Sequence, residues 1–437
     1  MQDLIVSKYG GSSITNLNDI ERIRKITQDD QKRKIIVVSA PGKKENNDDK
    51  VTDLLINFAK NKKNHILEKI IGKYFEIYGK KGEELTFNLI NETLTINLEY
   101  IKLLDAVKSI GEKANALLLA DYLNYEYIDP KELFLVTENF GNAKILPESE
   151  DMIKKRLDND KIYVIPGFYG YTKKGDIATF SRGGSDLTAA YIASSLDSLV
   201  YENFTDQDGI LSANPEIVDN PKKIKEITYK EMRDLSYIGF NIFNQEALLP
   251  LVKKRVLVHV RNTFNYPSQG TYILNERISD SEKPIIGVAY KDDFCAFNID
   301  KFGLNDEIGV AEEILNVFSK NKLSIEFPLA QIDDFSVILR QEQLKKNNFL
   351  GRITNQLYDV LGNSGEVNFH DNLACISVAG KGLRDNKKID LEIQNIFYDN
   401  KIDIEFIPKS KGRCLIYCVN SNDGKKAVNL IYDKFLR

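Results

Sequence analysis

The 437-residue sequence is poor in the side chains that form disulfides and bind structural metals. Its four cysteines are too few and too scattered for a disulfide framework: Cys295, Cys375, Cys414 and Cys418. The last two share an apolar, strand-like run, so we expect buried thiols there rather than a zinc site. With only three histidines, the chain offers no His–Cys cluster. We therefore name no protein ligand for a metal.

Long apolar runs and a strong charge of one sign are also missing. The longest apolar runs, such as Ala116–Ala120, are far too short to cross a membrane, and no signal peptide precedes the first motif. Sixty basic and 64 acidic residues give a net charge of −4, which offers no electrostatic case for nucleic acid or an anionic membrane. We expect a cytoplasmic protein of two or three domains that binds neither.

What the sequence does contain is two glycine-rich loops, each next to a cation. Lys8–Ser13 reads Lys-Tyr-Gly-Gly-Ser-Ser, and Ser181–Asp186 reads Ser-Arg-Gly-Gly-Ser-Asp in front of a helical stretch. Glycines let backbone N–H groups approach anionic oxygens, and a helix N-terminus favours negative charge. Neither loop is a P-loop or a dinucleotide turn. The loops indicate a site for two anionic reactants, although two ordinary strand–helix turns would also fit.

Three segments, in this order and spacing, resemble the aspartate kinases: Lys8–Ser13, Phe180–Ala190 and Thr205–Ile210. The resemblance covers essentially the whole chain, because the C-terminal third is similar to the paired ACT regulatory domains of that family. It implies phosphorylation of the β-carboxylate of L-aspartate by ATP with Mg²⁺, giving 4-phospho-L-aspartate on the way to lysine, threonine and methionine. Two alternatives are another carboxylate kinase of the same fold, such as a glutamate kinase, and a catalytically weak amino-acid sensor.

Residues 1–275 alternate short β-branched runs with helical stretches, which predicts an α/β fold with a mainly parallel sheet. The resemblance implies the three-layer αβα sandwich of amino acid kinases. Ligands of such sheets bind at the carboxyl ends of the strands, where both glycine-rich loops lie. Residues 284–370 and 371–437 each read as strand, helix, strand, strand, helix, so we expect two ferredoxin-like (ACT) α+β modules.

The resemblance implies that Lys8 bridges the ATP phosphates and the acceptor, and that Arg182 grips the α-carboxylate of aspartate. Glu112 and Asp186 would meet its ammonium group, although acids near helix N-termini also occur for dipole reasons alone. Thr52 would contact the substrate or simply cap a helix. The full catalytic set is Lys8, Gly10, Gly11, Ser12 and Asp186. The substrate-binding set is Thr52, Glu112, Arg182, Gly183, Gly184 and Ser185.

The nucleotide would lie beyond the third segment, where a strand ends at Thr205 and Asp206. The predicted nucleotide-binding residues are Lys8, Gly10, Gly11, Thr205, Asp206, Leu211, Glu216 and Asn241. Glu216 and Asn241 replace an arginine and a lysine of many relatives, which puts the ATP contacts in doubt more than the reaction. Mg²⁺ would ride with the phosphates, chiefly coordinated by water.

The C-terminal modules would bind an effector amino acid at paired interfaces. The predicted effector-binding residues are Gly309, Val310, Ala311 and Glu326. They lie where lysine-sensitive relatives contact their ligand, so lysine is the preferred effector and threonine the alternative. The resemblance also implies a homodimer, or a dimer of dimers, held through the ACT modules.

Overall fold

The computed structural model of the chain describes residues 2–44, 48–181, 183–239, 245–278, 284–345, 349–384, 386–408 and 414–437. These residues form two compact units. The first holds residues up to 210, 223–232 and 241–277, and the second holds 211–222, 233–240 and 278–437. Among the described residues, no helix combines the length and apolar character that crossing a bilayer requires.

The first part of the chain contains ten strands and nine helices among its described residues. The strands are β1 (Gln2–Tyr9), β2 (Arg33–Val38), β3 (Glu126–Tyr127), β4 (Tyr163–Pro166), β5 (Tyr169–Tyr171), β6 (Ile177–Thr179), β7 (Ser198–Thr205), β8 (Glu226–Thr228), β9 (Leu257–Asn262) and β10 (Thr271–Leu274). The helices are α1 (Leu17–Asp29), α2 (Val51–Asn61), α3 (Asn64–Tyr78), α4 (Lys80–Thr95), α5 (Tyr100–Leu123), α6 (Glu148–Arg156), α7 (Gly184–Ser195), α8 (Tyr229–Tyr237) and α9 (Gln245–Lys254).

The main sheet of the first unit has eight strands in the order β3-β4-β2-β1-β7-β9-β10-β8. The six strands from β3 to β9 run parallel, and β10 is antiparallel to β9. Strands such as β2, Arg-Lys-Ile-Ile-Val-Val, are almost wholly buried, as expected when helices cover both faces of a parallel sheet. The predicted α/β fold with a mainly parallel sheet is confirmed.

The second unit is built on a six-stranded antiparallel sheet in the order β12-β13-β11-β14-β16-β15. Its strands are β11 (Gly287–Lys301), β12 (Ile325–Ala330), β13 (Asp334–Arg340), β14 (Gly365–Ala379), β15 (Ile404–Phe406) and β16 (Cys414–Asn420). Its helices are α10 (Val310–Lys320), α11 (Phe349–Leu361), α12 (Lys387–Asp399) and α13 (Ser421–Phe435). The expected ferredoxin-like elements are therefore present in the expected order.

The boundary between the two modules differs from the predicted one at residue 370. That position lies inside β14, whose first half pairs with the end of β11 and whose second half pairs with its beginning. Ile285 and Val288, predicted to belong to the first module, lie in the hydrophobic core of the second. The polar residues Asp293 and Asn372 lie at bulged positions of these continuous strands, and both have a positive φ.

The predicted first domain, residues 1–275, also differs from the structure. Residues 211–222 and 233–240 belong to the second unit. Ala213 and Val218 lie in the same hydrophobic core as Ile376 and Phe397, and the Tyr432 hydroxyl accepts a hydrogen bond from the N–H of Lys222 at 2.7 Å. No local pattern in the sequence predicts that these segments belong to the second unit, because the burial of Ala213 and Val218 depends on strands more than 150 residues away.

Cys414 and Cys418 are buried thiols, as predicted, and Cys295 and Cys375 are buried as well. Cys375 and Cys418 face each other across β14 and β16, with their sulfur atoms 2.8 Å apart. Burial raises the pKa of the Cys375 thiol well above its usual range, which favours the protonated form.

Candidate active site

The two glycine-rich loops meet through an ion pair. Lys8 lies near the carboxyl end of β1, and its Nζ is 2.6 Å from Oδ1 of Asp186 in the first turn of α7. Both side chains are mostly buried, with 12% and 13% of their surface exposed. Asn203 of β7 donates a hydrogen bond from Nδ2 to Asp186 Oδ1 at 3.2 Å. The parallel pairing of β1 with β7 places Lys8 directly beside Asn203, although the two residues are far apart in the sequence.

The first loop is shaped by close backbone packing. A Cβ at Gly11 would lie 2.7 Å from the carbonyl oxygen of Ala40, and a Cβ at Gly42 would lie 2.5 Å from Gly11. The Gly42 N–H also donates to the Gly11 carbonyl at 2.9 Å. Gly10 is less restricted, since its Cβ would lie 3.5 Å from Lys8 Nζ. The loop, with Ser12 in its short 3-10 turn, therefore needs glycine at position 11 for packing.

The second loop enters α7 through Gly183, whose φ of 78° is a conformation that favours glycine. A Cβ at Gly184 would lie 2.8 Å from the ring of Phe168, and a Cβ at Gly167 would lie 2.6 Å from the Cβ of Ser185. Phe168 itself has a positive φ of 81°. The N-terminus of α7 is thus framed by Gly183–Ser185 and by the turn after β4, as an anion site requires. Arg182 lies outside the described residues.

Glu112 lies in the middle of α5, so the alternative that it serves a helix N-terminus is wrong. Its side chain is buried, and Oε2 has no hydrogen-bond partner among the described residues. Burial raises the pKa of Glu112 to about 8, while the N–H groups of Ala40 and of Glu112 and the charge of Lys108 act in the opposite direction. A buried carboxyl with a free oxygen is prepared for a cation that the protein does not supply.

Thr52 does not cap a helix, because α2 begins at Val51 and its N-cap is Lys50. It lies in the first turn and is partly buried. A Cβ at Gly111 would lie 2.8 Å from Ala40 Cβ and 3.4 Å from Val51 Cγ1. The beginning of α2 is therefore packed against the turn of α5 that carries Glu112.

On the predicted nucleotide side, Thr205 ends β7, and its hydroxyl donates to Oδ1 of the exposed Asp206 at 3.2 Å. Asn262 ties the following turn down by donating to the Asp206 carbonyl at 3.3 Å and to Asp208 Oδ1 at 2.8 Å. Leu211 and the exposed Glu216 belong to the second unit. Asn241 lies outside the described residues.

The structure separates the predicted effector-binding residues within one chain. Gly309, with a φ of 96°, is the N-cap of α10, and Val310 and Ala311 follow in its first turn. The loop before them is bonded to the turn after β12, through the N–H of Asn305 and the carbonyl of Ile332 at 3.1 Å. Glu326 lies at the other end of β12, where Tyr237 donates a hydrogen bond to its carboxylate.

Sequence reasoning missed several residues that shape this site. Gly42, Gly167 and Phe168 follow β2 and β4, so their position after buried strands was the available signal. Asn203 and Lys108 had no such signal, because one lies within a strand and the other within a helix. Their role depends on which elements the fold places beside them.

Comparison with known proteins agrees with this geometry. The sequence model of the amino acid kinase family matches residues 3–262. Aspartokinase 3 of Bacillus subtilis is 35% identical over 452 aligned positions, covering 98% of each chain.

Solved structures of aspartate kinases are also similar to this chain over its full length. The crystal structure of Clostridium acetobutylicum aspartate kinase, described as an allosteric enzyme, has a TM-score of 0.83 at 31% identity and covers 99% of both chains. Two structures of E. coli aspartokinase III are 20% identical and share the fold. The complex with aspartate and ADP has a TM-score of 0.81 and covers 99% and 100% of the two chains. The complex with lysine and aspartate has a TM-score of 0.77 and covers all of both.

Proposed function

This chain belongs to the amino acid kinase family and, within it, to the aspartate kinases, and we propose that it transfers the γ-phosphoryl group of ATP to the β-carboxylate of L-aspartate. The observation that carries the proposal is the Lys8–Asp186 junction, where a buried cation lies between two glycine-rich loops. A transfer between two anions depends mainly on positioning and on neutralising charge, and a carboxylate acceptor needs no base at neutral pH.

We assign the described residues as follows. The free carboxyl oxygen of Glu112 receives the α-ammonium of aspartate, and the N–H groups of Gly183–Ser185 receive its α-carboxylate. Lys8 lies where the β-carboxylate and the γ-phosphate meet, and Gly10–Ser12 face the phosphates. Thr52 borders the substrate from the first turn of α2, and Thr205 with Asp206 borders the adenosine.

In this scheme Mg²⁺ is bound by the nucleotide rather than by protein side chains. The described part of the chain holds no group of three or more His, Cys, Asp or Glu side chains placed to bind a metal ion. We infer that Mg²⁺ enters bound to the phosphates and water, where it neutralises phosphate charge.

The reaction itself is tested by trapping its product. With ATP, Mg²⁺ and L-aspartate, hydroxylamine should convert the acyl phosphate into a coloured hydroxamate, at a rate that matches ADP release. L-Glutamate should give less than about 1% of that rate, because its extra methylene moves the γ-carboxylate away from Lys8 when both α-groups are held. Turnover of glutamate without turnover of aspartate would refute the proposed acceptor.

We propose further that the second unit binds an effector amino acid, lysine rather than threonine, between two copies of the chain. The loop before Gly309 is bonded to the turn after β12, whereas Glu326 lies near the beginning of that strand. A ligand that contacts both residues is therefore better accommodated by two chains than by one. Phe302, Ile308 and Ile332 are 89%, 104% and 73% exposed. The first two belong to the loop before α10, and Ile332 lies in the turn that is bonded to this loop. This Phe302 patch, next to the edge strand β12, supports a homodimer through the unit.

The full-length variant Ile308→Glu should weaken this dimer at least about tenfold, because it places a charge in an apolar contact. Sedimentation velocity would measure the dimer. Rate titrations should show sigmoidal inhibition by lysine in the wild type, where one ligand contacts two chains, and loss of that shape in the variant. The control Leu391→Glu changes a 59% exposed residue on α12 and should alter neither. Intact dimers in Ile308→Glu, or dissociation in the control alone, would place the interface elsewhere.

A further inference from the structure

A buried polar network joins helix α5 to strand β6. Nζ of Lys108 lies 2.6 Å from Asp105 Oδ1, and the two side chains are 11% and 1% exposed. Lys108 also donates to the hydroxyl of Thr179 at 2.9 Å. The other carboxylate oxygen of Asp105 accepts the N–H groups of Thr179 at 2.8 Å and of Gly141 at 2.7 Å. A buried ion pair whose partners are this complete holds its neighbours in one arrangement.

The elements that this network joins are the two sides of the aspartate site. Glu112 lies one helical turn beyond Lys108 on the same face of α5. Thr179 is the last residue of β6, immediately before the second glycine-rich loop. Lys108 Nζ also lies 6.0 Å from the ring centre of Phe168, and that ring packs against Gly184 at the start of α7. The network thus contacts Thr179, which precedes the loop in the sequence, and Phe168, whose ring packs against the loop.

We propose that Asp105, Lys108 and Thr179 are positioning residues that set the distance between Glu112 and the Gly183–Ser185 loop, and so determine the affinity for aspartate. The inference rests on the proposed function, in which these two elements hold the α-ammonium and the α-carboxylate. Aspartate presents both groups on one carbon atom, so the spacing of their receptors has little tolerance. A misplacement of about 1 Å is enough to lower a reaction rate by a factor of about 10², and we expect a loss of up to the same order in aspartate affinity here.

Lys108 also acts through charge. Among the described residues, the charged or titratable groups that face Glu112 are Lys108 from its own helix and Tyr74 from α3, and Lys108 is the cation of the two. Removing this cation favours the protonated form of Glu112, which cannot pair with an ammonium group. Loss of Lys108 should therefore weaken aspartate binding most at neutral pH, whereas loss of the Thr179 hydroxyl affects only the spacing.

Steady-state kinetics of the full-length enzyme separates these roles. In Lys108→Met the KM for aspartate should rise by a factor of about 10 to 100, with kcat and the KM for ATP within about threefold of wild type. The pH at which that KM falls should move upward. Thr179→Val should raise the KM by a factor of about 3 to 10 without moving the pH profile, and Lys108→Arg should recover part of the loss.

Lys102→Met is the matched control. Lys102 pairs with Asp176 at 2.8 Å, and so joins the same helix to the residue directly before β6. Along the helix axis, Lys102 lies about 9 Å further from Glu112 than Lys108 does. This variant should keep the wild-type KM. The proposal is overturned if Lys108→Met and Thr179→Val both keep the aspartate KM within about threefold, or if the KM for ATP rises equally with it. Glu112→Gln measured in parallel keeps the tests separate, because an unchanged KM there would refute the proposed function instead.

Discussion

Replacing Lys8 by methionine is expected to lower kcat by a factor of about 10² to 10³ and to change the KM for aspartate by less than about threefold. The Lys8 ammonium lies where the two loops meet, and in the proposed reaction it contacts the phosphoryl group whose charge is redistributed during the transfer. Methionine keeps most of the length of the side chain and removes the ammonium group. Initial rates of ADP release at saturating aspartate and ATP would measure the effect.

Two further variants show where that loss originates. Lys8→Met leaves Asp186 mostly buried without its cation, so the double variant Lys8→Met/Asp186→Asn removes the uncompensated charge. Its kcat should stay low if Lys8 acts on the phosphates. Recovery to within about tenfold of wild type would mean that the uncompensated charge of Asp186 caused the loss. Lys32→Met, which breaks an exposed pair with Asp3, should behave like wild type.

Glu112→Gln is expected to raise the KM for aspartate about a hundredfold, which corresponds to about 2.7 kcal/mol of lost binding. The amide keeps the shape of the side chain but cannot carry the charge that the α-ammonium group needs. Because burial raises the pKa of Glu112 to about 8, the wild-type KM should fall as the pH rises from 7 to 8.5. The KM of the variant should not follow the pH in this way, and a wild-type KM without pH dependence would contradict the assignment.

The same variant should be more stable than wild type in mild alkali. An unfolded glutamate has a pKa of about 4.3, so between this value and about 8 the folded state keeps a proton that the unfolded state has released. Wild-type stability therefore falls as the pH rises through this window, and glutamine removes that contribution. Melting curves should be similar at pH 4.5, and Glu112→Gln should melt higher at pH 8.5. A constant difference at all pH values would show that Glu112 does not titrate in this window.

Much of the fold could be predicted because local patterns carry it. The buried β-branched strand β2, the helix α11 and the repeated order of elements in the second unit depend on side-chain periodicity and on breakers. The helical spacing in the sequence runs from Ala106 to Leu123 and so predicts a shorter helix than α5, which begins at Tyr100. The first turns of α5 are partly exposed and lack a continuous apolar face. The shorter predicted helix placed Glu112 near an N-terminus that the structure does not have.

The site could be predicted only in part. Lys8 and Asp186 belong to recognisable glycine-rich motifs, and the structure brings them into contact. Asp105, Lys108 and Thr179 belong to no motif, because a helix and a short strand meet there only in the folded chain. The roles of Arg182 and Asn241 stay predictions, as both lie outside the described residues.

The sequence by itself determined the family, the parallel α/β fold and the two loops that carry the chemistry, because glycine and cation placement next to strands and helices is a local property. The tertiary structure decided which side chains and which strands contact each other. It placed Lys8 on Asp186, buried the Glu112 carboxyl without a partner and continued β11 and β14 through their polar centres. These outcomes depend on contacts between residues far apart in the chain, where burial and strand pairing override the local pattern.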